Sequence, residues 1–424
     1  MYNILKGGDN MKKQRVEKHI IKENNEYYEM LDGFCYKSKN LYNFANYHIR
    51  KQFIDTRKWL RYCDLDKLMK QSEMDFDYRS LPVIQSSQQC LKLLDKNWKS
   101  FFKSIKDWNE NKSKYNGRPK LPKYLPKNGR NLIILTNQNC KIKDGILKFP
   151  KTFNNFTLKT QVNSSDLQQV RILPRNKHIV IEIIYNKQVK DLKKDNQKYV
   201  SIDIGLDNLL TLTTLTTLTS NTLNKPMIIN GRILKSENKY YNKQISYYRE
   251  IAKRMNNLDY TRRMSFLTNK RNNIINDLIH KASRKVVEYA LSCDVNTIVI
   301  GNNKDWKRNS NMSKQVNQSF IGIPHKKLIE QIIYKAEDYG INVILTEESY
   351  TSGTSFLDDE LPTKSNYNKD RRIKRGLFKS NSGKLINADV NASYQFLKKV
   401  FPNIYNNVNH GIEDYVFNPI RVNL

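Results

Sequence analysis

Two acidic residues in this chain stand where acids are costly. Ser201-Ile202-Asp203-Ile204-Gly205-Leu206-Asp207 reads as a buried strand that ends on an acid. Far downstream, Ile386-Asn387-Ala388-Asp389-Val390-Asn391-Ala392 reads as a helix start with another acid among small residues. Acids are rare in interiors unless they are paired or bind metal. Two-metal phosphodiester cleavage needs three or four carboxylates converging on one spot. There they hold two Mg²⁺ about 3.5–4 Å apart, which activate water and stabilise the leaving oxygen.

The elements around these acids suit that chemistry. On a strand through Asp203, the neighbours Ile202 and Ile204 point to the opposite face. Asn387 can cap a helix whose first turn holds Asp389, and Ala388, Ala392 and Ser393 are small enough for close approach to a sheet. Blander roles remain open for both: a strand-end turn for Asp203, a helix-dipole contact for Asp389. The remaining acid is harder to find. The strand Thr297-Ile298-Val299-Ile300 ends in Gly301-Asn302-Asn303, with no acid. The next strand, Ile341 to Thr346, ends in Glu347-Glu348. Strand ends on one sheet edge lie within about a strand spacing of each other, so a glutamate could reach over. Alternation sends the two to opposite faces and only one can serve. Glu348 is favoured, Glu347 is the alternative, and a dead site is the third reading.

The rest of the chain suits a polyanion. Of 424 residues, 74 are Lys or Arg and 41 are Asp or Glu, a formal charge of +33. That excess predicts nucleic acid, with phosphate contacts supplying much of the affinity. No apolar run approaches the roughly 20 residues of a spanning helix, so no membrane is expected. Cys35, Cys63, Cys90, Cys140 and Cys293 are scattered, with no C-x-x-C pair. This argues against a cysteine zinc site and suits a reducing cytosol. Residues 1–13 are polar and read as loose, with no secretory leader.

Periodicity divides the chain. Val16 to Lys22 reads as a strand and Tyr27 to about Leu60 as a helix. A second helix after Pro82 carries Leu91, Leu94, Trp98, Phe101, Ile105 and Trp108 as a packing stripe. Lys96 to Arg130 holds eleven Lys/Arg against two acids. Within it, Gly117-Arg118-Pro119-Lys120-Leu121-Pro122-Lys123-Tyr124-Leu125-Pro126 cannot be helical. It reads as an extended backbone clamp or a simple linker. Leu132 to Lys198 alternates with period two, a β-barrel or sandwich joined by the first strand, so the helices would be an insertion. From Tyr199 the order is strands, then helix–strand alternation: Ser236–Met255 and Arg263–Leu291 as helices, a strand at 296–301, a helix at 324–339 and a strand at 341–346. This is the order of an RNase H-like sheet. The triplet at Thr211, Thr214 and Thr217 reads as a slipped duplication lengthening a hairpin.

In these residues the chain resembles the TnpB family, transposon-encoded RNA-guided nucleases related to type V CRISPR effectors. The matching motifs run in order from Ser38-Lys39-Asn40-Leu41-Tyr42-Asn43 and Gly117-Arg118-Pro119-Lys120 to Ser201–Gly205. They continue with His280-Lys281-Ala282-Ser283, Ile300–Lys307, Glu347–Ser352, Arg372–Leu377 and Asn387–Asn391. The resemblance implies a wedge β-barrel (1–26 and 129–198), a helical recognition lobe (27–128) and an RNase H-like RuvC nuclease (199–345 and 386–424). Residues 346–385 would be a basic insert replacing the zinc ribbon, since Thr351 to Asn387 holds no cysteine. No zinc is expected. The chain looks like a subgroup whose second acid has moved from the Gly301 position to the tandem glutamates.

The implied function is RNA-guided cleavage of double-stranded DNA beside a short adjacent motif, in the bacterial cytosol at the nucleoid. Guide RNA and target duplex are the partners, and no obligate protein partner is evident. Asp203, Glu348 and Asp389 would be catalytic and hold two Mg²⁺. Residues 364–379 carry seven Lys/Arg and one acid, a lid with Arg372, Lys374 and Arg375 as phosphate contacts. Arg118, Lys120 and Lys123 would clamp backbone, and Gln85, Gln88, Gln89 and Asn43 could read base edges. A nuclease-inactive RNA-guided repressor is the alternative. A plain resolvase or transposase fits the acids but not the helical and barrel regions.

Overall fold

The computed structural model describes residues 12–72, 76–216, 225–302, 318, 321–404 and 418–424. The loose start, the end of the threonine–leucine repeat and the Asn303–Lys307 motif lie outside them. Contacts divide the chain into two compact units, residues 12–188 and residues 189–424.

In the first unit, β1 (Lys12–Lys22) leads to helices α1 (Tyr28–Thr56), α2 (Tyr62–Gln71), α3 (Phe76–Arg79) and α4 (Ile84–Glu110). Strands follow at β2 (Ile133–Thr136), β3 (Lys141–Lys143), β4 (Ile146–Lys148), β5 (Thr157–Lys159), β6 (Leu167–Arg175) and β7 (His178–Gln188). They form an open sheet in the order β1-β7-β6-β2 and a separate one in the order β3-β4-β5. The expected barrel is therefore not closed among the described residues. The cause is what covers the apolar face. Leu31, Cys35 and Ala45 of α1 and Leu91, Leu94 and Trp98 of α4 share one core with Ile133, Leu135, Ile172, Ile181 and Ile183. Helices bury the face that a barrel would turn in on itself.

The proline-rich segment after α4 runs as irregular chain held by side chains of α1. Asn46 Nδ2 donates to the Pro122 carbonyl (3.1 Å), Lys39 Nζ to Lys127 (2.9 Å) and Ser38 Oγ to Leu132 (2.9 Å). Prolines lack the N–H that a regular ladder needs, and side chains of the helix supply donors to carbonyls along the segment and just after it.

The second unit holds β8 (Lys198–Ile204), β9 (Asn208–Thr216), β10 (Met227–Asn230), α5 (Arg232–Asn256), α6 (Arg262–Ser292), β11 (Thr297–Gly301), α7 (His325–Glu337) and β12 (Asn342–Thr346). After these come the hairpin of β13 (Leu377–Lys379) and β14 (Leu385–Asn387), α8 (Ala388–Val400) and β15 (Ile420–Val422). The main sheet runs β12-β11-β8-β9-β10-β15. Its β8, β9 and β10 are antiparallel, and β11 and β12 join parallel to β8.

Strand alternation gives this sheet two different faces. Val200, Ile202, Ile204, Ile298 and Ile300 pack with α6 and α7. Tyr199, Ile228 and Val299 pack with Val390, Tyr394, Phe396 and Leu397 of α8. Between α8 and the sheet sits a knot of hydroxyls. Ser201 Oγ lies 2.7 Å from Thr213 Oγ1 and 2.9 Å from Ser393 Oγ, and Thr213 Oγ1 lies 2.9 Å from Ser393 Oγ. All three residues are fully buried. Short side chains let the helix lie close, and their hydrogen bonds offset the desolvation.

We expect Ser393→Leu to overpack this contact and destabilise the protein by about 1–3 kcal/mol. Thermal unfolding measures it, and a variant as stable as the parent would refute the close-docking account.

Candidate active site

Asp203 follows Ser201 on the α8-facing side of β8. Past it the chain turns at once: the Gly205 N–H donates to the Leu209 carbonyl (3.2 Å), and a Cβ on Gly205 would stand 2.5 Å from the Asn208 carbonyl oxygen. Asp389 lies in the first turn of α8, where the Asn387 side chain accepts from the N–H groups of Asp389 (3.0 Å) and Val390 (3.2 Å). The predicted cap is formed.

Glu348 arrives from the turn after β12. That turn is tied down by Lys399, whose Nζ donates to the Ser349 carbonyl (3.1 Å) and hydroxyl (2.8 Å). Position 301 explains where the glutamate goes. Gly301 closes β11, one residue past the Ile300–Ile202 pair and hence beside Asp203. A Cβ on Gly301 would meet the Phe396 ring at 2.5 Å and the Glu348 carboxylate oxygen at 3.1 Å. Glu348 thus reaches the space that a side chain at 301 would enter. Glu347 is exposed and is not among the residues that line the cleft.

Asp203, Glu348 and Asp389 all line one cleft of about 590 Å³. Burial raises the Asp203 carboxyl well above its usual range, the Asp389 and Glu348 charges raise it further, and the Arg372 guanidinium opposes them. Asp389 accepts from Asn208 Nδ2 (2.7 Å) and has Arg372 at 3.6 Å. Asp207, at the mouth, pairs with Lys235 and Arg375, both at 2.8 Å. Burial pushes the Asp207 carboxyl up, but the Lys235 hydrogen bond and the charges of Arg375, Lys235 and Arg232 outweigh it and leave it below the ordinary range. Among the described residues no three His, Cys, Asp or Glu side chains close into a ready-made metal cage. The donors are all carboxylate oxygens, the set that suits Mg²⁺ rather than zinc.

Arg372 and Arg375 line the cleft and Lys374 is exposed beside them. Sequence reasoning gave no role to Asn208, Arg232 and Arg421, which also line it. Arg421 reaches it on β15, which pairs in parallel with β10, and no local pattern signals that pairing. The other nucleic-acid candidates lie in the first unit. Arg118, Lys120 and Lys123 are exposed on the proline-rich segment, and Gln85, Gln88 and Gln89 are half-buried on α4. Asn43, expected to read a base edge, holds the proline-rich segment. Its Nδ2 donates to the Leu125 carbonyl (2.9 Å) and its Oδ1 accepts from the Leu125 N–H (2.8 Å). The amide pins the proline-rich segment to α1 through one N–H and one oxygen lone pair.

Residues 182–307 match the family model OrfB_IS605, a probable transposase, and residues 325–396 match a Cas12f1-like TNB domain. Among curated proteins none matches. Among solved structures, the Cas12f1–sgRNA–target DNA complex is 15% identical, covering 88% of this chain and 82% of that one with a TM-score of 0.52. The mini-RNA-guided endonuclease CRISPR-Cas_phi3 is 9% identical, covering 92% of each chain with a TM-score of 0.44. At such identity the first likeness is one of fold: a mixed α/β architecture. Over the two stretches that match family models the chain is similar to TnpB-like transposases and Cas12f1-like proteins. No described helix is long and apolar enough to cross a membrane.

Two outcomes follow from the cleft. Gly301→Ala should cost about 1–3 kcal/mol by overpacking, with Phe396→Leu in the same chain restoring part of it in thermal melts. For Asp203, a raised folded-state value means that protonation favours the folded protein. That contribution is full below the unfolded value near ~3.9 and is lost as pH rises through the folded value. In EDTA, Asp203→Asn should therefore melt above the parent at pH 8, and the gap should close towards pH 4. A lower melting point for the variant at pH 8 would contradict the geometry.

Proposed function

We propose that this chain is an RNA-guided endonuclease that hydrolyses double-stranded DNA, with Asp203, Glu348 and Asp389 holding two Mg²⁺. The observation that carries the reading is the meeting of these three carboxylates, from a strand end, a turn and a helix start, in one cleft. The family matches and the +33 charge support it. When bound, the cations would activate water and neutralise charge on the phosphate. The chain's own residues do the rest. Carboxylates gathered in a partly dry cleft repel one another, which favours cation uptake. Arg372, Arg375, Arg232 and Arg421 present guanidinium groups at the same cleft, suited to phosphate oxygens. Exposed Arg118, Lys120, Lys123 and Lys374 suit backbone phosphates, and Gln85 and Gln89 could meet base edges. On this reading residues 1–26 and 129–198 are the wedge, 27–128 the recognition lobe, 199–345 and 386–424 the nuclease, and 346–385 the insert. Guide pairing would read sequence, and the protein would read duplex shape and an adjacent motif.

Two observations favour the nuclease-inactive repressor instead: Asp389 is already engaged by Asn208 and Arg372, and no closed metal cage stands ready among the described residues.

Cleavage of a guide-matched plasmid in Mg²⁺ separates the two. A nuclease loses more than about 100-fold in rate on Asp203→Ala, Glu348→Gln or Asp389→Ala, beyond the usual cost of losing an outer-sphere partner. Its melting point also rises with Mg²⁺ in the parent and not in these variants. Tight guided binding with no nicking, unaltered by Asp203→Ala, would establish the repressor.

A further inference from the structure

The insert between β12 and α8 has no cysteine, yet it is firmly tied. One stripe of α8, at steps of four and three, fastens it. Asn391 Oδ1 accepts from the Phe356 N–H (2.9 Å) and its Nδ2 donates to the Thr354 carbonyl (2.8 Å). Gln395 Nε2 donates to the Glu360 carbonyl (3.1 Å). The buried Lys398 ammonium pairs with Asp359. Phe356 stacks on Tyr394 with ring centres 4.2 Å apart.

These ties converge on the Glu360 side chain. Its Oε2 accepts from the Ser355 N–H (2.9 Å) and from the Arg371 guanidinium (2.5 Å), and its Oε1 from Asn381 Nδ2 (3.0 Å). The carboxylate therefore joins three separated parts of the insert. Side chains of both Glu360 and Arg371 are less than a fifth exposed, at 16% and 17%, so the pair is shielded from the screening that weakens surface ion pairs. Arg371 is the chain neighbour of Arg372, the residue 3.6 Å from Asp389. Further along, Arg375 is held by Asp207. The arginine run is thus anchored on both sides of Arg372, once inside the insert and once at the mouth of the cleft.

We propose that Glu360 is a positioning residue: it fixes Arg371 so that Arg372 is presented to the cleft, where it would meet the phosphate undergoing cleavage. The carboxylate acts as the crosslink of an insert that has no cysteine to hold a metal. This rests on the nuclease reading of the cleft, but the tie itself does not.

The test uses the full-length protein with its guide RNA, with single-turnover cleavage, target binding and amide hydrogen exchange as readouts. Glu360→Ala and Arg371→Ala should each slow cleavage by about 10²-fold, the scale of a misplaced group, with target affinity unchanged. In an Arg372→Ala background, Glu360→Ala should slow cleavage no further, because both act through one guanidinium. An equal additional loss in that background, or cleavage at the parent's rate in both single variants, would overturn the proposal. Arg371→Ala breaks the same pair and carries the comparison should Glu360→Ala not fold. If the parent itself does not cut, the nuclease reading fails, and exchange decides the positioning role. Faster exchange confined to amides 371–376 in Arg371→Ala supports it, and unchanged protection rejects it.

Discussion

The cleft depends on how closely α8 lies against β8. That approach is set by three hydroxyl residues, Ser201, Thr213 and Ser393, buried in mutual hydrogen bonds. A larger apolar residue at any of them would lift the helix start, and Asp389 with it. The contact works against an electrostatic cost, because it brings like charges towards one low-dielectric spot. Burial first, and then the Asp389 and Glu348 charges, raise the Asp203 carboxyl there. Helix packing and the hydroxyl knot hold together what the charges would separate, and cations are the natural relief.

The arginines around the cleft balance the same charges from outside. Arg372 faces Asp389, and Arg375 faces Asp207. Each belongs to an insert whose internal order comes from polar side chains. Asn391, Gln395 and Lys398 turn one face of α8 into a fastening strip, while the other end of the helix carries Asp389. One helix therefore sets both an acid and the basic segment opposite it. Such double use links the stability of the insert to the shape of the cleft.

Much of this was legible along the chain. The period-two run and its switch to helix–strand alternation mark real elements, and Asn387 as a cap followed from residue type. Asp203 and Asp389 stood out because acids beside Ile202, Ile204 and Ala388 conflict with their surroundings. Alternation reduced the tandem glutamates to one. The barrel misled because an alternating strand declares that one face is apolar and does not say whether a helix or another strand covers it. The Leu125 contact of Asn43 was hidden for a related reason: an amide on a helix looks the same whatever its partner.

By itself the sequence determined the polyanion-seeking charge, the element order and the candidacy of Asp203 and Asp389, since these follow from composition and local periodicity. Tertiary structure alone decided that Glu348 rather than Glu347 enters the cleft. That choice turns on the Lys399 tether and on the room left by Gly301 against Phe396. It also decided that Arg421 joins the site through a strand pairing nearly two hundred residues distant in the chain. Both are outcomes of packing between segments far apart in the chain, and no local pattern encodes the distance between them.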